Sequence, residues 1–468
     1  MILSTIIAIA IFAIVYFLVI FGRKRFGIPI WTSMLIGAAL MIAFQIIDVQ
    51  SAFKSINLDV IAFLFGMFSI VSALDKSGVL TIVSAKMLSK AKNNPNLILL
   101  VFVVGMGLLS AFLVNDTIAV LGIPFIVHIS MRLGIRPQVL LIALAFGITV
   151  GSTMTPIGNP QNLLIALQSR IPLPFITFLR YLGIPTIVNL FLTYLILKSY
   201  YRKQLSWPPS AVIVATSGYD KDVITDNNSN SKKDTISERI LEGGARITNP
   251  YLAKLSISVL LATITGFIIS DILQIAYPRV TTNLSLSIIS LLGATALYAL
   301  SKERREILVS VDYSVLVFFA AMFVFTYGLW SSGIIQLVLS HFPTPDKHDL
   351  FQSNAAISAI SIALSQILSN VPFVAIYNTV MINNGFANGT NGGGSAAIAN
   401  NTNQWMMLAA ASTIAGNLTI LAAASNIIII EAAESRGVKS FTFFEFFKIG
   451  VVVTLVNIIV YYLFMLLL

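Results

Sequence analysis

Cysteine is absent from the 468 residues, and histidine occurs only at His128, His341 and His348. The chain therefore cannot form disulfides, thiolate-ligated metal sites, iron–sulfur clusters or a thiol nucleophile. So few histidines, with no His-Glu-x-x-His pattern, leave almost no metal site and give an intramembrane enzyme little support. Charge is scarce too: 10% of residues are Asp, Glu, Lys or Arg, against about 25% in soluble domains. Residues 1–21, 137–169, 350–430 and 449–468 contain no charged side chain, and 57% of the chain is hydrophobic. Apolar runs of that length read as bilayer-spanning helices, which excludes a soluble enzyme.

Lys and Arg number 29 against 19 acids, a net charge of +10. A nucleic-acid partner would need those charges clustered on a soluble face. They sit instead between apolar segments, as the positive-inside rule expects, so no nucleic acid is implied. Residues 1–21 read as a transmembrane helix and not a signal peptide, because Arg23-Lys24-Arg25 follows the apolar run instead of preceding it.

Two distant parts of the chain match in register. Placing Met67-Phe68 on Met322-Phe323, an offset of 255, also places Ser77-Gly78 on Ser332-Gly333 and Asn115 on Asn370. Beyond the Gly/Asn-rich stretch 383–403 the offset becomes 264, pairing Thr155 with Thr419 and Asn162 with Asn426. Polar residues coinciding at fixed spacing indicate structural repeats. The expected fold is an all-α polytopic membrane protein with two inverted repeats of five transmembrane helices, each with a re-entrant hairpin and a broken helix. The first repeat covers 1–203, with spans near 2–21, 28–47, 58–74, 137–169 and 183–200 and a hairpin over 96–132. A polar linker, 204–250, is expected in the cytoplasm. The second repeat covers 251–468, with spans near 255–272, 282–300, 312–329, 404–434 and 449–467 and a hairpin over 350–384. Scaffold and transport subdomains are interleaved between the repeats.

Five spans per repeat is odd, so the second copy must be inverted. With both termini outside, only Lys54, Arg170, Arg180, Arg279 and Lys347 of the 29 basic residues fall outside, which supports this orientation. The stretch 385–403 is then external, and Asn388-Gly389-Thr390 and Asn400-Asn401-Thr402 fit glycosylation acceptors, although the same pattern recurs at Asn115 within the membrane.

Chemistry is expected where helices break, because unpaired backbone is tolerated at membrane depth only inside protein or along a wet cavity. Gly151 to Asn162 places Pro156, Pro160 and two glycines in the middle of an uncharged run. The helix must unwind there, freeing carbonyls for a cation and presenting a new helix start to an anion. Gly416 to Asn426 is the counterpart, and its break is less marked because it has no proline. Two polar tips, Asn115-Asp116-Thr117 and Ser369-Asn370, lie between apolar arms. Asp116 is the only acid in these four elements, to be read as a functional site or as a helix cap. Glu431 and Glu434 read as a solvated helix end near Arg436. The segments PFITFLRYLG and FTFFEFFKIG read as interfacial helices anchored by Arg180 and Lys448. Asp59, Asp271 and Asp312 are placed at helix ends.

The motifs LVNDTIAVLGIPF, GSTMTPIGNPQNLLI, LSNVPF and AGNLTILAAASNIIIIEAAESRG, in this order, resemble the arsenite permease and citrate-transporter-like branch of the ion transporter superfamily. That superfamily also holds divalent anion/sodium symporters and one kind of sodium/proton antiporter. The resemblance implies a homodimer in which hairpins and broken helices move elevator-fashion against a scaffold. By matching positions, substrate and ion sites fall on Asn115, Asp116, Thr117, Thr155, Gly158, Asn159, Gln161 and Asn162 in the first copy. In the second they fall on Ser369, Asn370, Gly416, Asn417, Thr419, Ser425 and Asn426. Sodium would sit near Asn115, Asp116, Thr155, Asn370 and Thr419.

The dicarboxylate symporters resemble Ser-Asn-Thr at both tips, whereas this chain has Asn-Asp-Thr at the first and Val-Pro after the second. The departure moves the expectation from bidentate carboxylate recognition toward an arsenite-type or other small-anion permease. Without cysteine, arsenite would be handled as a polyhydroxyl solute. The expected protein is a plasma-membrane secondary transporter for a small anion or oxyacid, coupled to H+ or Na+, with lipid around it and no other cofactor. A Na+/H+ antiporter is the alternative, and a channel is less favoured.

Overall fold

The computed structural model describes residues 2–91, 94–169, 171–205, 247–276, 285–339, 345–346, 349–386 and 401–468. Most of the linker expected over 204–250, the glycosylation pattern at 388–390, Asn400 of the second pattern, and Arg170, Arg279 and Lys347 of the charge argument lie outside these residues. The described residues are helical, without strands.

Among the described residues, sixteen principal helices fall into two sets of eight. The first set is α1 (Ile2–Phe17), α2 (Ile30–Ala43), α3 (Leu58–Lys76), α4 (Pro95–Leu113), α5 (Asn115–Leu133), α6 (Pro137–Ser152), α7 (Pro160–Gln168) and α8 (Pro174–Tyr200). The second is α9 (Pro250–Ala276), α10 (Leu286–Leu300), α11 (Tyr313–Ser331), α12 (Leu350–Leu368), α13 (Asn370–Met381), α14 (Thr402–Ile414), α15 (Ala424–Glu434) and α16 (Phe443–Leu467). Seven helices among the described residues are long and apolar enough to cross a bilayer unaided: α3, α4, α8, α9, α11, α12 and α16. The outer faces of α8, α9 and α16 expose residues such as Ile187, Phe191, Leu261, Leu455 and Ile459. In a bilayer such faces meet lipid.

Helix starts follow from the local sequence. Proline opens α4, α6, α7, α8 and α9, where its missing N–H costs nothing. Short polar side chains cap others: Asn57 accepts from the Val60 N–H, Asp349 from Gln352 and Thr442 from Glu445. Two boundaries differ from the sequence expectation. PFITFLRYLG and FTFFEFFKIG are not separate interfacial helices but belong to the continuous α8 and α16, with Arg180 and Lys448 on exposed faces. Asp271 is likewise not a terminal group of its own helix. It is buried inside α9 and accepts from the Ile176 N–H at 2.9 Å, so it caps the start of α8.

The helices pack crosswise between the two sets. α3 lies along α10 and α2 along α11, and both pairs run in the same sense. Along α3 and α10, Ser287 donates to Asp59 at 2.9 Å and the Tyr298 hydroxyl donates to Ser69 at 2.8 Å. Along α2 and α11, a side chain at Gly37 would meet Phe325, and one at Gly328 would meet Met41. α8 and α16 run in opposite senses: Thr186 bonds the Tyr461 hydroxyl at 2.6 Å, Asn189 Nδ2 donates to the Asn457 carbonyl at 3.1 Å, and Asn457 Nδ2 donates to Thr193 at 3.3 Å.

Candidate functional site: a cavity between two helix turns and two unwound segments

α6 ends at Ser152 and α7 begins at Pro160; the residues between are not helical. The freed backbone is claimed by two side chains, chiefly Asn162. Asn162 Nδ2 donates to the carbonyls of Ser152 (3.2 Å), Thr153 (3.1 Å) and Thr155 (3.1 Å). Asn159 caps α7 by accepting from the Asn162 N–H at 2.8 Å, and its Nδ2 donates to the Ser152 carbonyl at 3.2 Å. The Thr155 hydroxyl donates to the Ala111 carbonyl on α4. Gly151 sits where a Cβ would lie 1.9 Å from the Gly107 carbonyl oxygen, so α4 and α6 touch through bare backbone.

The second unwound segment forms without proline. α14 runs into short 3-10 turns at Ala415–Asn417 and Ile420–Ala422, with Thr419 and Ala423 extended. Asn426 Nδ2 donates to the carbonyls of Gly416 (2.8 Å) and Thr419 (3.4 Å), and the Thr419 hydroxyl donates to Gln366 at 2.8 Å. Each of these residues stands at the repeat offset from its counterpart: Asn162, Ser152, Thr155 and Ala111 in the first copy, Asn426, Gly416, Thr419 and Gln366 in the second.

The two tips are also alike. α4 turns into α5 at Val114 (φ 56°, ψ 126°) and α12 into α13 at Ser369 (φ 62°, ψ 158°). A non-glycine residue is rarely held there, and such strain costs about 1–3 kcal/mol. Each tip is pinned to its own unwound segment: the Asn115 N–H donates to the Gly158 carbonyl at 3.0 Å, and the Ser369 hydroxyl donates to the Ala422 carbonyl at 3.0 Å. Thr413, at the end of α14, joins the two copies. Its hydroxyl donates to Asn162 Oδ1 at 3.2 Å and accepts from Asn159 at 3.3 Å and Gln161 at 3.4 Å, while its carbonyl accepts from Asn370 Nδ2 at 3.5 Å.

Between these elements lies a cavity of about 190 Å³. Both tips reach it (Asn115, Asp116; Ser369, Asn370), as do both half-helix starts (Pro160, Gln161; Ala424, Ser425). The opposite wall comes from Pro29 to Trp31 before and at the start of α2, from Asp312 and Ser314, and from Phe318 of α11. Its charged lining residues among those described, Asp116, Asp312 and Glu431, are all acids. Three buried oxygens at the lining residues have no hydrogen-bond partner: Asn115 Oδ1 (residue 7% exposed), Asn370 Oδ1 (2%) and Ser425 Oγ (1%).

Of the residues expected from sequence, Asn115, Asp116, Gln161, Ser369, Asn370 and Ser425 line this cavity, and Thr117 lines a neighbouring one. Thr155, Gly158, Asn159, Asn162, Gly416, Asn417, Thr419 and Asn426 stand behind the wall. All but Asn417 put a side-chain or backbone polar group into the bonds that hold the unwound segments and tips. Glu431 is not a solvated helix end, because α15 carries it along the cavity; Glu434 is exposed. Sequence reasoning did not single out Trp31, Asp312 as a lining group, Gln366 or Thr413. Thr413 had a signal, since Thr149 stands at the same 264 offset in the other copy.

Comparison with known proteins gives matches over most of the chain. Residues 16–391 match the citrate transporter family. A 46 kDa membrane protein of Mycobacterium leprae is 29% identical over 81% of this chain and 80% of its own length. The silicon efflux transporter LSI3 of Oryza sativa is 26% identical over 78% of this chain and 79% of its own. The putative transporter arsB of Dictyostelium discoideum is 28% identical over 37% of this chain and 30% of its own.

Proposed function

The chain belongs to the citrate transporter family, and from that premise we propose that this integral membrane transporter carries a weakly acidic, polyhydroxylated oxyacid, of the arsenite or silicic acid kind, coupled to H+ or Na+ through Asp116. The observation that carries this reading is the cavity lining: acids, helix starts and unpartnered oxygens, with no basic side chain among the described lining residues. A fully ionised carboxylate or phosphate would face Asp116 and Asp312, with no basic side chain among the described lining residues. A neutral hydroxylated solute fits better. Its O–H groups supply the donors that Asn115, Asn370 and Ser425 lack, and its oxygens meet the positive ends of α7 and α15. The name of the rice relative, a silicon efflux transporter, agrees with this substrate class.

Alternating access by two inverted repeats is the mechanism we infer. Consecutive spans alternate in direction, so α2 and α3 oppose one another. α11 stands at the repeat position of α3 yet runs with α2, and α10 stands at that of α2 yet runs with α3. That relation supports inversion. The cavity lies between fixed-side candidates, α2 and α11, and the pinned unit of tips and unwound segments, which supports an elevator-like displacement of that unit. In this arrangement the α4–α5 and α12–α13 pairs are re-entrant hairpins, the linker is cytoplasmic, both termini are external and the functional unit is a dimer.

The carrying experiment is uptake into proteoliposomes of arsenite, silicic acid, citrate, succinate and sulfate, with and without pH and sodium gradients. Accumulation of a hydroxylated oxyacid, with citrate, succinate and sulfate excluded, is expected. The all-acid charge of the cavity also suits a Na+/H+ antiporter. That second reading is selected if sodium and protons exchange with no solute bound.

A further inference from the structure

The end of α8 lies between two grooves, of about 390 and 450 Å³. The first faces the start of α4 and is lined by Asn96, Leu195, Lys198, Ser199 and Arg202. The second faces the start of α16 and is lined by Leu195, Ser199, Tyr200, Lys448 and Val452. Leu195 and Ser199 border both, so the grooves adjoin across one ridge of α8. The charged residues described in their lining, Lys198, Arg202 and Lys448, are all basic.

Cations and apolar side chains are ordered along each helix. On α8 the exposed Phe191, Leu195 and Lys198 recur at spacings of four and three residues, and so share one side. On α16 the exposed Lys448, Val452 and Leu455 are spaced differently in sign only, by four and then three residues toward the apolar end. Because α8 and α16 run in opposite senses, both stripes place their cations at the same end of the bundle. Helix polarity does not account for the pattern. A cation suits the end of α8, but Lys448 stands in the second turn of α16, nearer its positive end. Acids do not account for it either. Among the described residues none of the three cations has an ion pair; Glu445, one turn before Lys448, is held by Arg136 at 3.8 Å, and Lys198 lies over the Tyr194 ring at 5.6 Å.

We propose that the adjoining grooves bind one anionic phospholipid, its phosphate held by Lys198, Arg202 and Lys448 and its acyl chains laid along the apolar stripes of α8 and α16. Three unpaired cations complement an anionic headgroup, and Asn96 and Ser199 add neutral donors for its oxygens. The stripes beneath them select a lipid over a soluble phosphate, which would leave Phe191, Leu195, Val452 and Leu455 without a partner. The position agrees: α16 has no charged residue beyond Lys448, and the distribution of basic residues assigns the Lys448 end to the cytoplasm, whose leaflet carries the anionic lipids. The inference rests on the chain being an integral membrane protein, and not on which solute the central cavity carries. A lipid seated there bridges α4, α8 and α16, and because it binds the folded state it raises the unfolding temperature.

The test is native mass spectrometry and thermal unfolding of the full-length protein in detergent, titrated with phosphatidylglycerol, phosphatidylcholine or glycerol 3-phosphate. Phosphatidylglycerol should bind in preference to phosphatidylcholine and raise the unfolding temperature, and glycerol 3-phosphate should neither bind nor compete. The triple variant Lys198→Gln, Arg202→Gln, Lys448→Gln should weaken phosphatidylglycerol binding about a hundredfold, close to fivefold for each charge removed. A control triple, Lys302→Gln, Arg304→Gln, Arg305→Gln, removes the same charge from exposed residues outside the grooves and should leave binding unchanged. If the first triple folds poorly, Lys448→Gln alone should still cost about fivefold. Equal losses in the two triples would overturn the site and leave only a diffuse surface potential. Binding of glycerol 3-phosphate as tight as that of the lipid would replace it with a soluble-phosphate site, and equal binding of both phospholipids would remove it altogether.

Discussion

Asn162 and Asn426 make the same two bonds in the two halves of the chain: each Nδ2 donates to the carbonyls seven and ten residues before it, Thr155 and Ser152 in one case, Thr419 and Gly416 in the other. An unwound helix inside a bilayer needs its carbonyls satisfied from within. One amide per copy does most of this, with Asn159 Nδ2 and nearby N–H groups sharing the carbonyls of Ser152, Thr155 and Thr419. Asn162→Ala strands the Thr153 carbonyl, leaves the Ser152 and Thr155 carbonyls with only Asn159 Nδ2 and the Gly158 N–H, and removes the acceptor of the Thr413 hydroxyl. With each buried unsatisfied group costing about 1–3 kcal/mol, the loss of two partners should cost about 2–6 kcal/mol. Asn426→Ala strands only the Gly416 carbonyl, because the Ala422 N–H still serves that of Thr419, and should cost less. Thermal unfolding in detergent should rank them in that order, and the reverse order would contradict the role given to Asn162.

The contact of α4 with α6 makes a sharper steric prediction. Gly151→Ala forces a methyl to within 1.9 Å of the Gly107 oxygen, and because both partners are backbone, nothing yields cheaply. Folded yield by size-exclusion chromatography should collapse. Gly183→Ala in α8, with nothing within 4 Å of the added carbon, should behave as the unmodified protein.

Asp271 caps a helix other than its own. Asp271→Ala removes the acceptor for the Ile176 N–H and should destabilise the start of α8 by about 0.5–2 kcal/mol, visible as faster hydrogen exchange at residues 174–177. Asp271→Asn retains an acceptor and should recover most of the protection. Equal exchange in both variants would mean that the negative charge, and not the hydrogen bond, holds the helix start.

Much of this arrangement was legible in the sequence because polar residues are costly at membrane depth. Asn115, Asp116, Ser369 and Asn370 stood out between apolar arms, and Pro156 and Pro160 announced the first break. The second break was fainter, because it is produced by side chains from elsewhere: Gln366 receives the Thr419 hydroxyl, and Ala422 accepts from Ser369. Local sequence does not carry such partners. Trp31 and Asp312 escaped for the same reason, since each sits at the edge of a helix that only packing brings to the cavity. The start of α8 was misplaced because Arg180 in an aromatic segment reads as an interfacial anchor, while the proline start at 174 and the remote Asp271 cap extend the helix past it.

The orientation can be examined without knowing the substrate. The cysteine-free background permits single cysteines at a linker position such as Ser229 and in the 385–403 stretch, for example at Ser395. A membrane-impermeant thiol reagent should label only Ser395→Cys in sealed cells, and Ser229→Cys only after permeabilisation. Labelling of both from one side would remove the inverted-repeat account.

The central claim is that Asp116 converts a cation gradient into oxyacid transport. Asp116→Asn keeps size and hydrogen bonding but cannot titrate or bring a charge to a cation. Proteoliposomes holding the unmodified protein should accumulate the oxyacid found in the uptake screen when a pH or sodium gradient is imposed. Those holding Asp116→Asn should equilibrate it without accumulation, at a rate independent of either gradient. Full gradient-driven accumulation by Asp116→Asn would contradict the claim and leave Asp116 as a helix-start residue.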